Sequence, residues 1–218
     1  MEWIWPPVLS VRILSIQKEA VSVPDFSLTP LSAMGGTAPS VQSIGELTIR
    51  EECNWSLASV SARQGRHNEL QTSLEAFLGG SLPKAEEWKR SGDFGVFWTA
   101  PNQWFVQANH ETHENLSSLI KAQAGEHGSI TEQNDSWVVF ELQGSMVALR
   151  ELFARLCNVD WSRCVDGFAT RTQIDHQGCF VLCGADVSDE NLKFHVLGPR
   201  SSAHSLHHSI LAMAKSVS

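Results

Sequence analysis

Short runs of alternating apolar and polar residues are separated along this chain by stretches where apolar residues return every three or four positions. Trp55, Leu57 and Ser59, with Ser56, Ala58 and Val60 on the opposite face, read as a strand. Val96-Phe97-Trp98 and Trp104-Phe105-Val106 flank Thr99-Ala100-Pro101-Asn102-Gln103 and read as a hairpin. Leu70, Leu74, Phe77 and Leu78 predict a helix stopped by Gly79-Gly80, and Leu116, Leu119 and Ile120 a second, from near Asn109 to near Gly125. A strand at 137–142 precedes a helix that presents Met146, Leu149, Phe153 and Leu156 on one face, with Ser145 as its cap. Strands at 168–174, 179–183 and 193–197 lead to a last helix from Ser201 to about Lys215.

This order predicts an α+β fold in which antiparallel sheets carry helices on one face, rather than a doubly wound parallel sheet. The two halves repeat the order of elements loosely, as a duplicated split β-α-β unit would, without a repeat in the residues themselves. Ahead of them, Pro24, Pro30, Gly35-Gly36 and Pro39 mark residues 23–41 as a linker or arm. Residues 1–43 are thus expected to be a partly disordered extension and 44–218 one compact domain. Apolar residues from Ile4 to Leu14 do not form a signal peptide, because Glu2 comes first and Pro6-Pro7 interrupts the run. Arg12, Lys18 and Glu19 end it short of the roughly 20 residues a spanning helix needs.

Of 218 residues 42% are hydrophobic and 18% charged, enough apolar material for a sizeable core. The formal net charge of -8 disfavours a surface built to neutralise phosphates. Eight Trp and ten Phe stand beside no Tyr, so no phenol is available as acid, base or nucleophile. Five Cys are an odd number and too few for a secreted disulfide scaffold, which favours a reduced, cytoplasmic setting. Fingerprints for dinucleotides, phosphate loops, nucleophile elbows and zinc helices are absent.

Cys179 and Cys183 share a strand face roughly 13 Å apart, too far for one metal ion or a disulfide, and read as buried packing. Cys157 and Cys164 read the same way. His204, His207 and His208 have helical metal-binding spacing, but His204 and His208 point away from the stripe of Leu206, Ile210, Met213 and Val217 and read as exposed. His110, Glu111, His113 and Glu114 are expected to begin the second helix, where acidic side chains complement the dipole. Arg171 and Arg200 lie in or beside strands and need partners: an ion pair with Asp160, Asp166 or Asp175, or else a substrate anion.

Four stretches carry a resemblance to a known family. They are Leu78-Gly79 with Leu82-Pro83; Trp98-Thr99-Ala100-Pro101-Asn102-Gln103-Trp104; Asp160, Phe168 and Thr172; and Arg200-Ser201-Ser202-Ala203 with Ser205-Leu206. In order and spacing they resemble the gamma subunit of heterotetrameric sarcosine oxidase, whose fold is akin to the folate-binding domain of the glycine-cleavage aminomethyltransferase. Trp161 replaces a leucine of the family, Gly167 precedes Phe168 instead of following it, and Thr131-Glu132-Gln133-Asn134 replaces its Asp-x-Ser.

The resemblance implies a non-catalytic accessory subunit of a complex that demethylates sarcosine to glycine, passing the one-carbon unit to tetrahydrofolate and electrons to oxygen. Its partners would be alpha, beta and delta subunits, with FAD, FMN, NAD, tetrahydrofolate and zinc on those chains and no cofactor, metal or catalytic residue on this one. Trp98, Pro101, Trp104, Arg171 and Arg200 are the candidate subunit-interface residues. The alternatives are an independent folate-binding protein or one-carbon transferase of the same fold, reading its pterin with Asp160, Asp166 or Asp175, and an interaction module of another assembly.

Overall fold

The structure is a computed structural model that describes residues 28–186 and 189–218. The expected N-terminal segment up to residue 27, including the apolar run from Ile4, lies outside the described residues.

Two antiparallel sheets form the centre. In chain order the elements are β1 (Val41–Ile44), β2 (Leu47–Glu52), β3 (Trp55–Ala62), α1 (His67–Leu78), β4 (Trp88–Ser91), β5 (Phe94–Ala100) and β6 (Gln103–Asn109). Then come α2 (Leu116–Ala124), β7 (Gly128–Glu132), β8 (Trp137–Gln143), α3 (Met146–Leu156), β9 (Phe168–Ile174), β10 (Gln177–Asp186), β11 (Asp189–Pro199) and α4 (Ala203–Val217). The first sheet runs β1-β2-β8-β11-β10-β9 and the second β4-β5-β6-β3-β7. The expected duplication is visible in this topology. The unit β3-α1-β4-β5-β6-α2-β7 stacks its strands as β4-β5-β6-β3-β7. The unit that starts at β8 stacks them as β9-β10-β11-β8, and its last position is taken by β2 from the N-terminal side of the chain.

Each strand's alternation serves two layers at once. In β3, Ala58 and Val60 turn toward Leu70, Leu74 and Ile120 of the helices, while Leu57 turns inward to Phe97, Phe105, Phe180 and Leu197 between the sheets. On the other sheet, Phe140, Val181 and Phe194 meet Leu149, Phe153, Leu206 and Ile210 of α3 and α4. The result is four layers, helix, sheet, sheet, helix, with three buried apolar seams. Trp88 locks the central seam. A Cβ at Gly95 would lie 2.9 Å from its Nε1 and one at Gly184 2.9 Å from its Cζ3, so two glycines leave the room that the indole fills.

Local signals place the ends. Gly79 takes the left-handed conformation (φ 71°) that stops α1, and Ser145 Oγ accepts the Ala148 N–H at the start of α3. Pro101-Asn102 makes the β5–β6 turn, with Asn102 at φ 59°. The edges of the two sheets also meet. Trp88 N–H donates to Gly167 O at 2.6 Å and Ala169 N–H to Glu86 O at 3.0 Å, so the starts of β4 and β9 meet at one bridge, Glu87 opposite Phe168.

Several expectations need correction. The second helix begins at Leu116, not near Asn109, because β6 runs on to Asn109 and His110–His113 form a turn in which His113 N–H donates to Asn109 O. Met146 is 40% exposed, and Leu152 takes its place in the core. β1, β2 and β4 were not expected at all. Ala33 and Met34 pack on the first sheet's core, so described packing begins within the segment read as linker.

Candidate functional site

Where β2 and β11 end and β3 and β8 begin, the two sheets part and leave a cavity of about 320 Å³. Its walls come from both units: Glu52 and Trp137 from the first sheet, Trp55 and Leu57 from the second, and His110, Asp135 and Arg200 from the adjoining turns. Residues 30–39 cross it as a strap.

The strap is tied by two side chains. Glu51, 2% exposed, accepts the Met34 N–H at 3.0 Å on Oε1 and the Ser40 N–H at 3.1 Å on Oε2, and its own N–H donates to Ser40 O. Arg200 Nη2 donates to Leu31 O at 3.0 Å, while Nη1 lies 4.0 Å from the Asp135 carboxylate. A buried carboxylate with both oxygens spent on amides is a structural clamp rather than an acid or base. The Cys53 thiol at the same end is pushed up to about 11 by desolvation and by the charges of Glu51 and Glu52, against the opposing pull of Arg200. It is therefore protonated at neutral pH and a poor nucleophile.

A second polar cluster lies deeper. His195 and Glu141 pair across β11 and β8, with Nε2 and Oε2 3.5 Å apart and side chains 10% and 14% exposed. The imidazole stands 4.8 Å from the Trp55 ring and 5.6 Å, edge-on, from Trp88. His195 Nδ1 and Trp88 Nε1 are buried without hydrogen-bond partners. The hydrogen bond with His195 holds the Glu141 carboxyl below the usual carboxylate range, overcoming desolvation, with help from the charges of Lys193 and Arg50.

The candidate interface residues do not form one patch. Trp104 is buried at 5% exposure: its Nε1 donates to Pro83 O at 2.9 Å and its ring stacks on His67. That contact joins the Leu82-Pro83 stretch to the tryptophan hairpin, and it makes Trp104 a core residue instead of an exposed anchor. Trp98, opposite Trp104, is half-buried on the same helix-side seam, and Pro101 is exposed at the turn. Arg171 is exposed on β9, its guanidinium 5.8 Å from the Phe180 ring centre. Only Arg200 lines the cavity.

Neither arginine takes the partners that the sequence suggested. Asp160 accepts the Ser162 N–H, Asp166 pairs with Arg90, and Asp175 accepts the Ser209 hydroxyl. The cysteine reading holds for Cys164, Cys179 and Cys183, which are buried with thiols pushed up to about 11 to 12, while Cys157 is only partly buried at the edge of the same core, its thiol pushed up to about 12 by desolvation. His204 and His208 are exposed as expected, and His207 is buried, stacked on Phe140. Among the described residues no group of three or more His, Cys, Asp or Glu could hold a metal ion, and no helix is long and apolar enough to cross a membrane. Sequence reasoning missed Glu51, Glu141 and His195. An acid alternating with Leu47 and Ile49 was the available signal for the first, and only strand register reveals the other two.

The architecture thus defines a class: two antiparallel sheets face to face, each backed by two helices and built from the same unit. Known structures share it. The chain is similar to a chain of the heterotetrameric sarcosine oxidase from Corynebacterium sp. U-96, at 22% identity over 80% of this chain and 88% of that one, with a TM-score of 0.63. It is also similar to the glycine cleavage system aminomethyltransferase T from Bartonella henselae, at 13% identity over 74% of this chain, with a TM-score of 0.52. There it spans 44% of the longer protein. At these identities the likeness is one of fold. No protein-family profile matches the sequence, and no curated protein matches it.

Proposed function

We propose that this chain is a non-catalytic assembly subunit, of gamma type, in a heterotetrameric sarcosine oxidase. The observation that carries this reading is reciprocal coverage: the fold extends over 80% of this chain and 88% of a chain from such a heterotetramer, two chains of similar length. In the aminomethyltransferase the same fold is under half of a longer protein. The complex would turn sarcosine into glycine, passing the one-carbon unit to tetrahydrofolate and electrons to oxygen in the cytoplasm. FAD, FMN, NAD, tetrahydrofolate and zinc would sit on alpha, beta and delta subunits. The groups facing the cavity accord with a structural role, since Glu51 and Arg200 hold the strap and the Cys53 thiol is protonated.

Co-expression of the tagged chain with alpha, beta and delta subunits from the same genome tests the reading, and one complex with sarcosine oxidase activity is expected. Recovery of the tagged chain alone, with an active oxidase forming without it, would overturn it. A second reading, an independent folate-binding protein, draws on the aminomethyltransferase fold. Against it, Asp160, Asp166 and Asp175 are all exposed and engaged elsewhere, and none lines the cavity. Calorimetry of the isolated chain with tetrahydrofolate separates the two, micromolar binding favouring the second.

A further inference from the structure

The two tryptophans that line the cavity hold one position of the repeated unit twice over. Trp55 opens β3 and Trp137 opens β8, the strands that begin the two units. Each strand start is tied in the same way to the turn that follows its neighbour: His110 N–H donates to Asn54 O at 2.9 Å, and Arg200 N–H to Ser136 O at 3.0 Å. The cavity therefore lies where the two units meet, with one indole from each sheet. Leu57 and Val139 line it two residues further along the same strands, and Ala33, Ala38 and Pro39 of the strap cross it.

Charge and hydrogen-bonding capacity point in one direction. Among the described residues that line the cavity, the carboxylates of Glu51, Glu52 and Asp135 stand against the guanidinium of Arg200. Cys53 registers the balance, since Glu51 and Glu52 each act more strongly on its thiol than Arg200 does. Acceptors, in contrast, are largely taken. Both Glu51 oxygens bind strap amides, Glu52 Oε1 accepts the Asn54 N–H, Asn134 Oδ1 the Leu57 N–H, and Leu31 O the Arg200 guanidinium. Trp137 Nε1 donates to Gln133 Oε1 at 3.3 Å, and His110 Nδ1 lies 2.9 Å from Ser56 Oγ. A positive ion that brought N–H donors would leave most of them unmet, at a cost in free energy. One clothed in methyl groups needs no acceptor and is attracted by aromatic walls.

We infer that this cavity binds a small quaternary ammonium ion, held against Trp55 and Trp137 within the field of Glu52 and Asp135. Its size agrees: about 320 Å³ is at the lower end of ligand pockets, which run from about 300 to 1,000 Å³. Sarcosine is disfavoured on two counts, its carboxylate meeting an acidic wall and its two N–H groups finding few acceptors. The binding site is additional to the assembly role and independent of it.

The test uses the full chain and tetramethylammonium chloride, followed by the broadening of the ion's methyl proton resonance at constant ionic strength. Tert-butanol serves as the neutral isostere, with ammonium, acetate and sarcosine as further comparisons. Saturable binding about tenfold or more tighter than that of any of these is expected. Trp137→Leu should weaken it about tenfold, and Trp137→Phe should keep most of it. Glu52→Gln should weaken it several-fold and reduce its sensitivity to added salt. Trp98→Leu, on the helix-side seam, should leave it unchanged. Melting temperatures report folding, and where Trp137→Leu lowers its own, Trp137→Phe and Glu52→Gln carry the test. Equal binding of tert-butanol makes the cavity merely apolar and overturns the inference. Tighter binding of acetate or sarcosine overturns it by assigning the site to Arg200 and His110. Absence of saturable binding, or binding that Trp137→Leu and Glu52→Gln both leave intact, overturns it as well. All of these outcomes leave the assembly reading standing.

Discussion

At the scale of single residues, the Glu141–His195 pair ties pH to stability. The Glu141 carboxyl is held below its ordinary value first by the hydrogen bond with His195, so the folded state binds its proton less readily than the unfolded chain does. A depressed folded pKa contributes stability that is fully present above the unfolded value of about 4.3, and is lost as pH falls through the lower folded value. Urea unfolding midpoints should therefore fall on acidification below about pH 5, and Glu141→Gln should flatten that acid limb. An equally steep limb in the variant would assign the acid sensitivity to other carboxylates. No periodicity in the sequence announces this pair: Glu141 interrupts the apolar run from Trp137 to Leu142 and His195 the run from Phe194 to Leu197, and they meet only because β8 and β11 are neighbours in the sheet. Trp104 was legible as part of a motif and not by role, since an indole serves a core and an interface equally well until its partners, Pro83 and His67, are known.

Among the elements, helices were the most readable, because their stripes repeat over several turns and end at local signals such as Gly79 and Ser145. The β5–β6 hairpin was readable from its turn residues. β1 and β4 were not, being only four residues each, and β2 ends in Arg50-Glu51-Glu52, a charged run that resembles a loop until one sees that Glu51 points into a layer of backbone amides. That contact makes the strap an element in its own right. Glu51→Gln replaces one of two accepting oxygens with a donor facing a donor, and an unsatisfied buried amide costs about 1–3 kcal/mol. Cleavage within residues 32–40 by a trace protease should accelerate about tenfold or more, with the global melting temperature little changed. Unchanged cleavage would mean that Arg200 and apolar packing hold the strap without Glu51.

For the whole molecule, the sequence order pointed to the α+β class and to a repeated unit, yet how the two sheets face each other depends on contacts between residues far apart in the chain. Trp88 in the cleft between Gly95 and Gly184 is the clearest of these. Gly184→Ala sets a methyl 2.9 Å from the Trp88 ring and should destabilise the fold by about 1–3 kcal/mol, read as a lower urea midpoint with an unchanged slope. A neutral result would show that the indole can swing aside. The borrowing of β2 by the second unit has a consequence for chain connectivity. A Cβ at Gly45, in the β1–β2 turn, would lie 2.9 Å from that of Ser218, so the end of α4 adjoins the strand pair that completes its sheet. Circular permutation that joins Ser218 to the β1–β2 pair and opens the chain between Gln133 and Ser136 would turn an interleaved molecule into two tandem repeats, each contiguous in sequence.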